Sequence, residues 1–289
     1  MAFQADLAAR CGFPVDYHLV NAPGPPLRGL QEFALCRGAR QDVDGELEQL
    51  HRILKHMALD SSKCPLASIV STLHKDIAQH APDLWEAGQH QTLILHTQGL
   101  PTDAEGKRSG ALKALQRAQA ALGKLPIKLV IRLCTDDEDT LDTYNVLDAD
   151  FGNIDVLDDY WGEALEVHLH NPWLTYARGL HRLRECGLAP DFLDDLDEQA
   201  LSPDSLHRLC AMIFGGAPAL PHPRNWGAFL PALTARLLDA APMWNPVKKK
   251  ETPWINLRQL ERVYGTKRSG PAPRRTMPSV CAPRPPPGQ

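Results

Sequence analysis

Short blocks of apolar and polar residues follow one another along the first half of the chain, and each block has its own period. The runs "TLILHT" (92–97) and "IKLVIRLCT" (127–135) are short and mostly apolar, which is typical of buried strands. Segments such as "DVDGELEQLHRILKHMA" and "SGALKALQRAQAALG" repeat apolar residues every three or four positions, as amphipathic helices do. Further short strands are predicted in "VDYHLVNA" and "NIDVLD". This alternation predicts an α/β fold, with a parallel sheet and helices on both of its faces.

The pattern changes near residue 158. We predict that residues 158–264 form a helical extension packed on an α/β domain formed by residues 1–157. Proline or glycine lies at nearly every junction between the predicted helices. One predicted helix, "PWLTYARGLHRLRECG", places Trp173, Tyr176 and Leu180 on a single stripe, which favours a core face. The last 25 residues, 265–289, contain seven prolines and five Lys/Arg but no acid, so a disordered tail is predicted.

The composition and charge limit the classes of protein and the cellular compartments that fit this chain. The chain has 289 residues, of which 43% are hydrophobic, and a formal net charge of -4. This charge gives no electrostatic reason to expect nucleic-acid binding. Seven cysteines are scattered singly without a CxxC pair, so a reducing, cytoplasmic compartment is expected. No apolar run approaches the roughly 20 residues that span a bilayer, and the start lacks a secretory signal, so no membrane association is expected.

Two segments together carry a family likeness. "LILHTQGLPTDAEG" and, after a helix, "IKLVIRLCTDDEDTLDTYNVLD" resemble the second half of a von Willebrand factor A-type domain, and the likeness covers roughly residues 1–157. The later block, from "HNPWLTYARGLHRLRECG" onward, resembles an extension of uncharacterised algal von Willebrand A-like proteins. The resemblance implies a doubly wound, Rossmann-like sheet. It also implies a metal-ion-dependent adhesion site where the strands end.

The residues at the expected metal site depart from the family pattern. Thr97, Gln98 and Gly99 lie where the family has Thr-Asp-Gly, and Cys64 replaces the threonine of a Thr-Pro-Leu element. The first-strand motif Asp-x-Ser-x-Ser does not occur upstream of either. Magnesium prefers hard oxygen ligands that include carboxylates, whereas a thiol suits softer metals. We therefore expect a degenerate site without a metal or other cofactor, and no measurable binding of magnesium or calcium.

Acidic residues after the strands give a second candidate surface. Asp103 follows the first strand of the pair, and Asp136 and Asp137 follow the second, so the three form a candidate interaction surface. Thr135 and Glu138 have the spacing of a helix capping box, which explains the acidic run without an ion. The nucleophile-elbow, phosphate-loop and dinucleotide signatures are absent.

These observations leave three hypotheses about function. The first is a non-catalytic protein-binding or scaffolding module whose protein partner is unknown. The second is a magnesium-dependent adhesion module completed by a first strand that a partner supplies or that a longer transcript encodes. The third is an enzyme of an unrecognised type, for which Cys64 would be the nucleophile.

The missing first strand leads to a structural expectation. In the family this strand lies between the second and fourth strands. If it is missing and the two strands do not move together, two rows of backbone N–H and C=O groups lose their hydrogen-bond partners. Each buried unpaired group costs about 1–3 kcal/mol. We therefore expect the gap to close by parallel pairing of residues 16–21 with 92–97. The alternative is a strand borrowed from a partner.

Overall fold

The computed structural model describes residues 1–21, 23, 27, 30–37, 42–57, 63–150 and 154–265, without the side chains of 147–150. Of the predicted tail, only Gly265 belongs to these residues, so the expected disorder lies outside the described part of the chain. The fold is mixed α/β and contains a three-stranded parallel sheet. Among the helices in the described ranges, none combines the length and apolar character needed to cross a lipid bilayer.

The chain begins with a small α/β unit that has its own apolar cluster. Its elements are α1 (Ala2–Arg10), β1 (Val15–His18), β2 (Glu32–Leu35) and α2 (Val43–His56). The two strands pair antiparallel, with Val15 opposite Leu35. Leu47 and Leu50 of α2 pack against Ala5 of α1 and against Leu35. The Asp42 carboxylate accepts the Gly45 N–H, which caps the first turn of α2.

The pairing of β1 shows that the expected closure of the sheet is wrong. Instead of joining residues 92–97, β1 is hydrogen-bonded to β2, and no described residue of 16–21 pairs with that strand. The antiparallel contact continues past β1, because the Leu19 N–H donates to the Gln31 carbonyl at 2.8 Å. A local hairpin closes a shorter loop than a crossover through two helices, and this lowers its entropic cost.

The central sheet follows in the order that the hydrophobic period predicts. Its elements are α3 (Leu66–Glu86), β3 (Gln91–Thr97), α4 (Ala111–Leu122), β4 (Ile127–Leu133), α5 (Glu138–Asp150) and β5 (Ile154–Leu157). The strands are parallel in the order β3-β4-β5. Alternate residues of β4, such as Leu129 and Ile131, pack with Val70 of α3 and Leu115 of α4. This apolar side is called the first face below.

The opposite side, the second face, is covered by the helical part of the chain. The remaining elements are α6 (Tyr160–His170), α7 (Arg178–Glu185), a 3-10 segment (Asp191–Leu196), α8 (Pro203–Phe214), α9 (Trp226–Asp239), β6 (Met243–Asn245), β7 (Lys250–Thr252), α10 (Leu257–Leu260) and a π-helical turn (Glu261–Gly265). α7 lies against β4 and β5. Gly187, which ends α7 with φ +63°, lies so close to Thr92 that a Cβ there would meet its methyl group at 2.5 Å. A glycine is therefore required where this turn meets the sheet.

Two local predictions need correction. Trp173 and Tyr176 are buried, as a core face requires, but they precede α7, which begins only at Arg178. The segment is instead tied to the distant loop before α10, because the Thr175 N–H donates to the Trp254 carbonyl and the Asn256 N–H donates to the Trp173 carbonyl. These long-range hydrogen bonds override the helical period of the sequence. The division into residues 1–157, 158–264 and 265–289 stays a prediction.

Candidate functional site

The ends of β3 and α3 bring the predicted strand-end residues together. Cys64 lies just before α3, and its Sγ is 3.5 Å from the Oγ1 of Thr97, the last residue of β3. Two further hydrogen bonds fix this contact, because the Cys64 N–H donates to Thr102 Oγ1 and the Thr102 N–H donates to the Cys64 carbonyl, both at 2.8 Å. Gln98 is exposed and Gly99 is half-buried. The sequence motifs therefore meet at one point on the edge where the strands end.

Thr97 is already engaged at this point. Its hydroxyl donates to the Gly99 carbonyl at 3.1 Å, and the same carbonyl accepts the hydroxyl of the buried Tyr144 at 3.2 Å. Burial raises the pKa of Tyr144, so this phenol stays protonated and acts as a donor. Burial likewise raises the pKa of the Cys64 thiol, although the Thr97 hydroxyl opposes the change. A thiol held in this way is a poor nucleophile, because the thiolate is the reactive form.

These residues do not fit a magnesium site. Within the described ranges, no carboxylate contacts the Cys64 thiol or the Thr97 hydroxyl. Asp103 accepts the N–H groups of Glu105 and Lys107 within its own turn. Magnesium needs hard oxygen ligands and sheds its water reluctantly. A thiol and a hydroxyl that is already hydrogen-bonded cannot replace the missing carboxylates.

The acidic run after β4 caps a helix, although by a different residue than the spacing predicts. The Asp137 carboxylate accepts the Thr140 N–H at 3.0 Å and also the Thr140 hydroxyl. Thr135 lies outside the cap, and its Oγ1 accepts the Asp137 N–H at 3.2 Å. Asp136 and Asp137 are exposed at the start of α5 and Asp103 is half-buried. A joint interaction surface of these three residues stays a prediction.

The outer edge of β3 is the second feature of interest. The Gln91 N–H donates to the Pro126 carbonyl, and the Thr97 carbonyl accepts the Cys134 N–H. In a parallel ladder this register directs the backbone N–H and C=O groups of every odd-numbered residue of β3 toward β4. Thr92, Ile94 and His96 therefore direct their backbone groups away from β4. Within the described part of the chain, no strand pairs with that edge.

Nothing in the sequence of β3 protects this edge. Natural edge strands are usually short or carry charges, proline or a bulge, which block pairing with other chains. β3 spans seven residues, "QTLILHT", and has neither a proline nor a permanently charged side chain. Burial lowers the pKa of His96 to about 4, so this residue is neutral near pH 7. Leu93 and Ile94 are half-buried, whereas every residue of β5 is buried.

Between the second face and α7 lies an ionic layer that sequence reasoning missed. Arg184, 2% exposed, donates to Glu163 at 2.7 Å and to Asp155 and Asp197 at 2.9 Å each. Neighbouring residues extend this layer, because Arg132 contacts Glu185 at 3.0 Å. The sequence contains one indication of this layer, since the acidic Asp155 interrupts the otherwise apolar strand "IDVL".

Comparison with known proteins gives no identification. No family model matches the chain, and no curated protein matches it.

Proposed function

We propose that this chain is a non-catalytic protein-binding module that accepts an extended segment of a partner protein along the outer edge of β3. The observation that carries the proposal is the row of backbone N–H and C=O groups at Thr92, Ile94 and His96. Added strands bind such edges through main-chain hydrogen bonds, and alternate side chains supply specificity. The strand-end residues Cys64, Thr97, Gln98 and Gly99 are then a degenerate metal site.

Several observations support this proposal over the other two hypotheses. An adhesion module that depends on magnesium needs carboxylate ligands, whereas Thr97 and Cys64 bond to each other. An enzyme that uses Cys64 needs a thiolate, whereas burial raises the pKa of this thiol. We include in the proposal a doubly wound, von Willebrand A-like sheet, which helices on both faces support. A reducing cytoplasmic setting is also proposed, since the six described cysteines are free thiols.

A proline placed at Ile94 tests the proposal directly. The Ile94 N–H points away from β4, so Ile94→Pro removes one outward donor and leaves the ladder between β3 and β4 intact. Ile94→Val is the matched control, because it keeps the N–H and the β-branched side chain. The full chain is panned against a displayed library of random peptides, and the affinities of enriched peptides are then measured by fluorescence anisotropy.

We expect the enriched peptides to bind the native chain and Ile94→Val equally. Binding to Ile94→Pro should be at least about tenfold weaker, which corresponds to a loss of roughly 1.4 kcal/mol. Circular dichroism verifies that both variants are folded. Equal affinity of the peptides for the folded Ile94→Pro variant would show that they bind elsewhere, and the proposed edge would then be wrong.

A further inference from the structure

The outward backbone groups of β3 are arranged symmetrically about one residue. Thr92, Ile94 and His96 direct their N–H and C=O groups away from β4, and Ile94 is the middle one of the three. If an identical row runs antiparallel to this one, with a two-fold axis at Ile94, then Ile94 lies opposite Ile94 of a second copy, and Thr92 lies opposite His96 of that copy. Residues opposed in this way exchange both of their hydrogen bonds. A second β3 therefore provides a partner for each of these outward groups.

The side chains of β3 also match in this register. A two-fold axis perpendicular to the sheet keeps the first faces of both copies on the same side. Leu93 then lies opposite Leu95 of the second copy on that apolar face, where both residues already pack with the core of the central sheet. On the second face, Ile94 lies opposite its own equivalent. Apolar pairs in these positions stabilise antiparallel sheets.

Charge does not oppose the pairing of two such edges. β3 has no permanently charged side chain, and burial lowers the pKa of His96, which leaves this residue neutral near pH 7. A two-fold axis along the strands would pair the same edges in parallel, but it would place the apolar first face of one copy beside the second face of the other. The antiparallel arrangement is therefore the one that keeps the apolar side chains of the two copies together.

Exposed apolar side chains lie at the end of the molecule where β3 begins. Trp85, near the end of α3, is 58% exposed and precedes β3 by one short loop. Leu188 is 54% exposed and follows Gly187, the residue that lies against Thr92. Exposed apolar surface beside an unpaired edge favours an interaction surface. In the antiparallel arrangement this end of β3 runs beside the second copy, which removes apolar surface from water.

We propose that the outer edge of β3 pairs with the same edge of a second copy of this chain, with a two-fold axis at Ile94. The two parallel sheets then form one continuous sheet whose centre is the antiparallel pair of β3 strands. This inference rests on the proposed function, because it names the partner whose strand the edge accepts. It goes further in predicting a symmetric dimer of the chain alone.

Sedimentation velocity measurements on the full chain, over a range of micromolar concentrations, test the proposal. The decisive variants are Ile94→Lys and Ile94→Glu, because both keep the N–H of residue 94 and place like charges directly opposite each other across the axis. An equal mixture of the two variants instead places opposite charges there. Gln91→Lys is the matched control, because it adds the same charge to β3 at an exposed position that lies opposite Thr97 of the second copy.

We expect the native chain and Gln91→Lys to sediment as dimers, with twice the 32.0 kDa mass of one chain. Ile94→Lys and Ile94→Glu should each self-associate at least about tenfold more weakly, because like charges would meet at the centre of the interface. Their equal mixture should regain the dimer. Circular dichroism verifies that each variant is folded. Ile94→Pro replaces a charged variant that does not fold, because it lacks the outward N–H and should self-associate as weakly.

A native chain that stays monomeric would overturn the pairing of two copies, whereas the proposed function is tested separately by the affinity of peptides for Ile94→Pro. A dimer that persists in the variants at Ile94 would show that the two copies meet elsewhere, and the inference would be wrong. A dimer that both charged variants lose, but that their mixture does not restore, would overturn the two-fold axis at Ile94.

Discussion

Replacing Arg184 by methionine tests how strongly the ionic layer joins the helical part of the chain to the sheet. Methionine retains much of the side-chain length but has no charge and no hydrogen-bond donor. The substitution leaves the carboxylates of Asp155, Glu163 and Asp197 facing one another without their shared cation. Both Asp155 and Glu163 are 2% exposed at the side chain, so water cannot replace the lost guanidinium.

The structure sets the expected magnitude. Removing one partner of a buried ion pair costs about 3–5 kcal/mol, because the remaining charge stays desolvated. In a chain of this size each kcal/mol lowers the thermal midpoint by about 2–4 °C. We therefore expect Arg184→Met to melt roughly 6–20 °C below the native chain in differential scanning calorimetry near neutral pH.

Arg182→Met is the control, because it removes an arginine from the same helix. Arg182 is 33% exposed, and its partner Glu185 keeps its contact with Arg132. Its loss should cost no more than about 1 kcal/mol. If both variants melt within a few degrees of the native chain, the carboxylates around Arg184 are not ionised, and the reasoning fails.

The pH dependence of the Arg184→Met variant gives a further check. Burial already raises the pKa of Glu163 well above its usual value, and loss of the guanidinium raises it further. The folded variant then binds protons more tightly than its unfolded chain does. The difference in stability between the native chain and this variant should therefore shrink as the pH falls from neutrality toward the pKa of Glu163 in the unfolded chain. A deficit that stays constant with pH would contradict the assignment of the loss to unpaired carboxylates.

Two other predictions concern the same layer and the tail. Burial, and then the neighbouring Asp155, raise the pKa of Asp194 to about 7. The protonated Asp194 carboxyl therefore stabilises the fold fully when the pH is below its pKa in the unfolded chain. This contribution is lost as the pH rises toward 7. Asp194→Asn should flatten the pH dependence of urea unfolding between acid and neutral pH, and an unchanged slope would refute this. Deleting residues 265–289 should shift the thermal midpoint by less than about 4 °C, and a larger fall would show that the tail packs on the rest of the chain.

The hydrophobic period was enough to locate the central strands, and less informative elsewhere. β3, β4 and β5 are apolar runs bounded by turns, so their positions could be predicted from the sequence. β2, β6 and β7 are only three or four residues long, too short to show a clear period, and they form because a neighbouring strand pairs with them. The prediction of a helix over the residues just before α7 was wrong, because backbone hydrogen bonds to a distant loop override the local helix propensity.

The two sites differ in what the sequence could reveal. Cys64 and Thr97 each flank a predicted element, so their meeting follows once the sheet is parallel. Arg184 and the carboxylates that contact it come from α7, β5, α6 and the end of the 3-10 segment. No spacing in the sequence connects them. Only the polar residues inside apolar strands, Lys128, Arg132 and Asp155, indicated that the second face is not a simple apolar core.

The contrast between the two faces also defines the partner that the β3 edge would accept. In register, Leu93 and Leu95 lie beside Leu129 and Ile131 on the apolar first face. On the second face, His96 lies beside Arg132 of the ionic layer. A strand added outside β3 sends alternate side chains to these two environments, because the side-chain period of a strand is two. The partner segment should therefore alternate apolar residues with polar or acidic ones. Enriched peptides that bind in an Ile94-dependent way but lack this alternation would show that the added strand does not continue the two faces of the sheet.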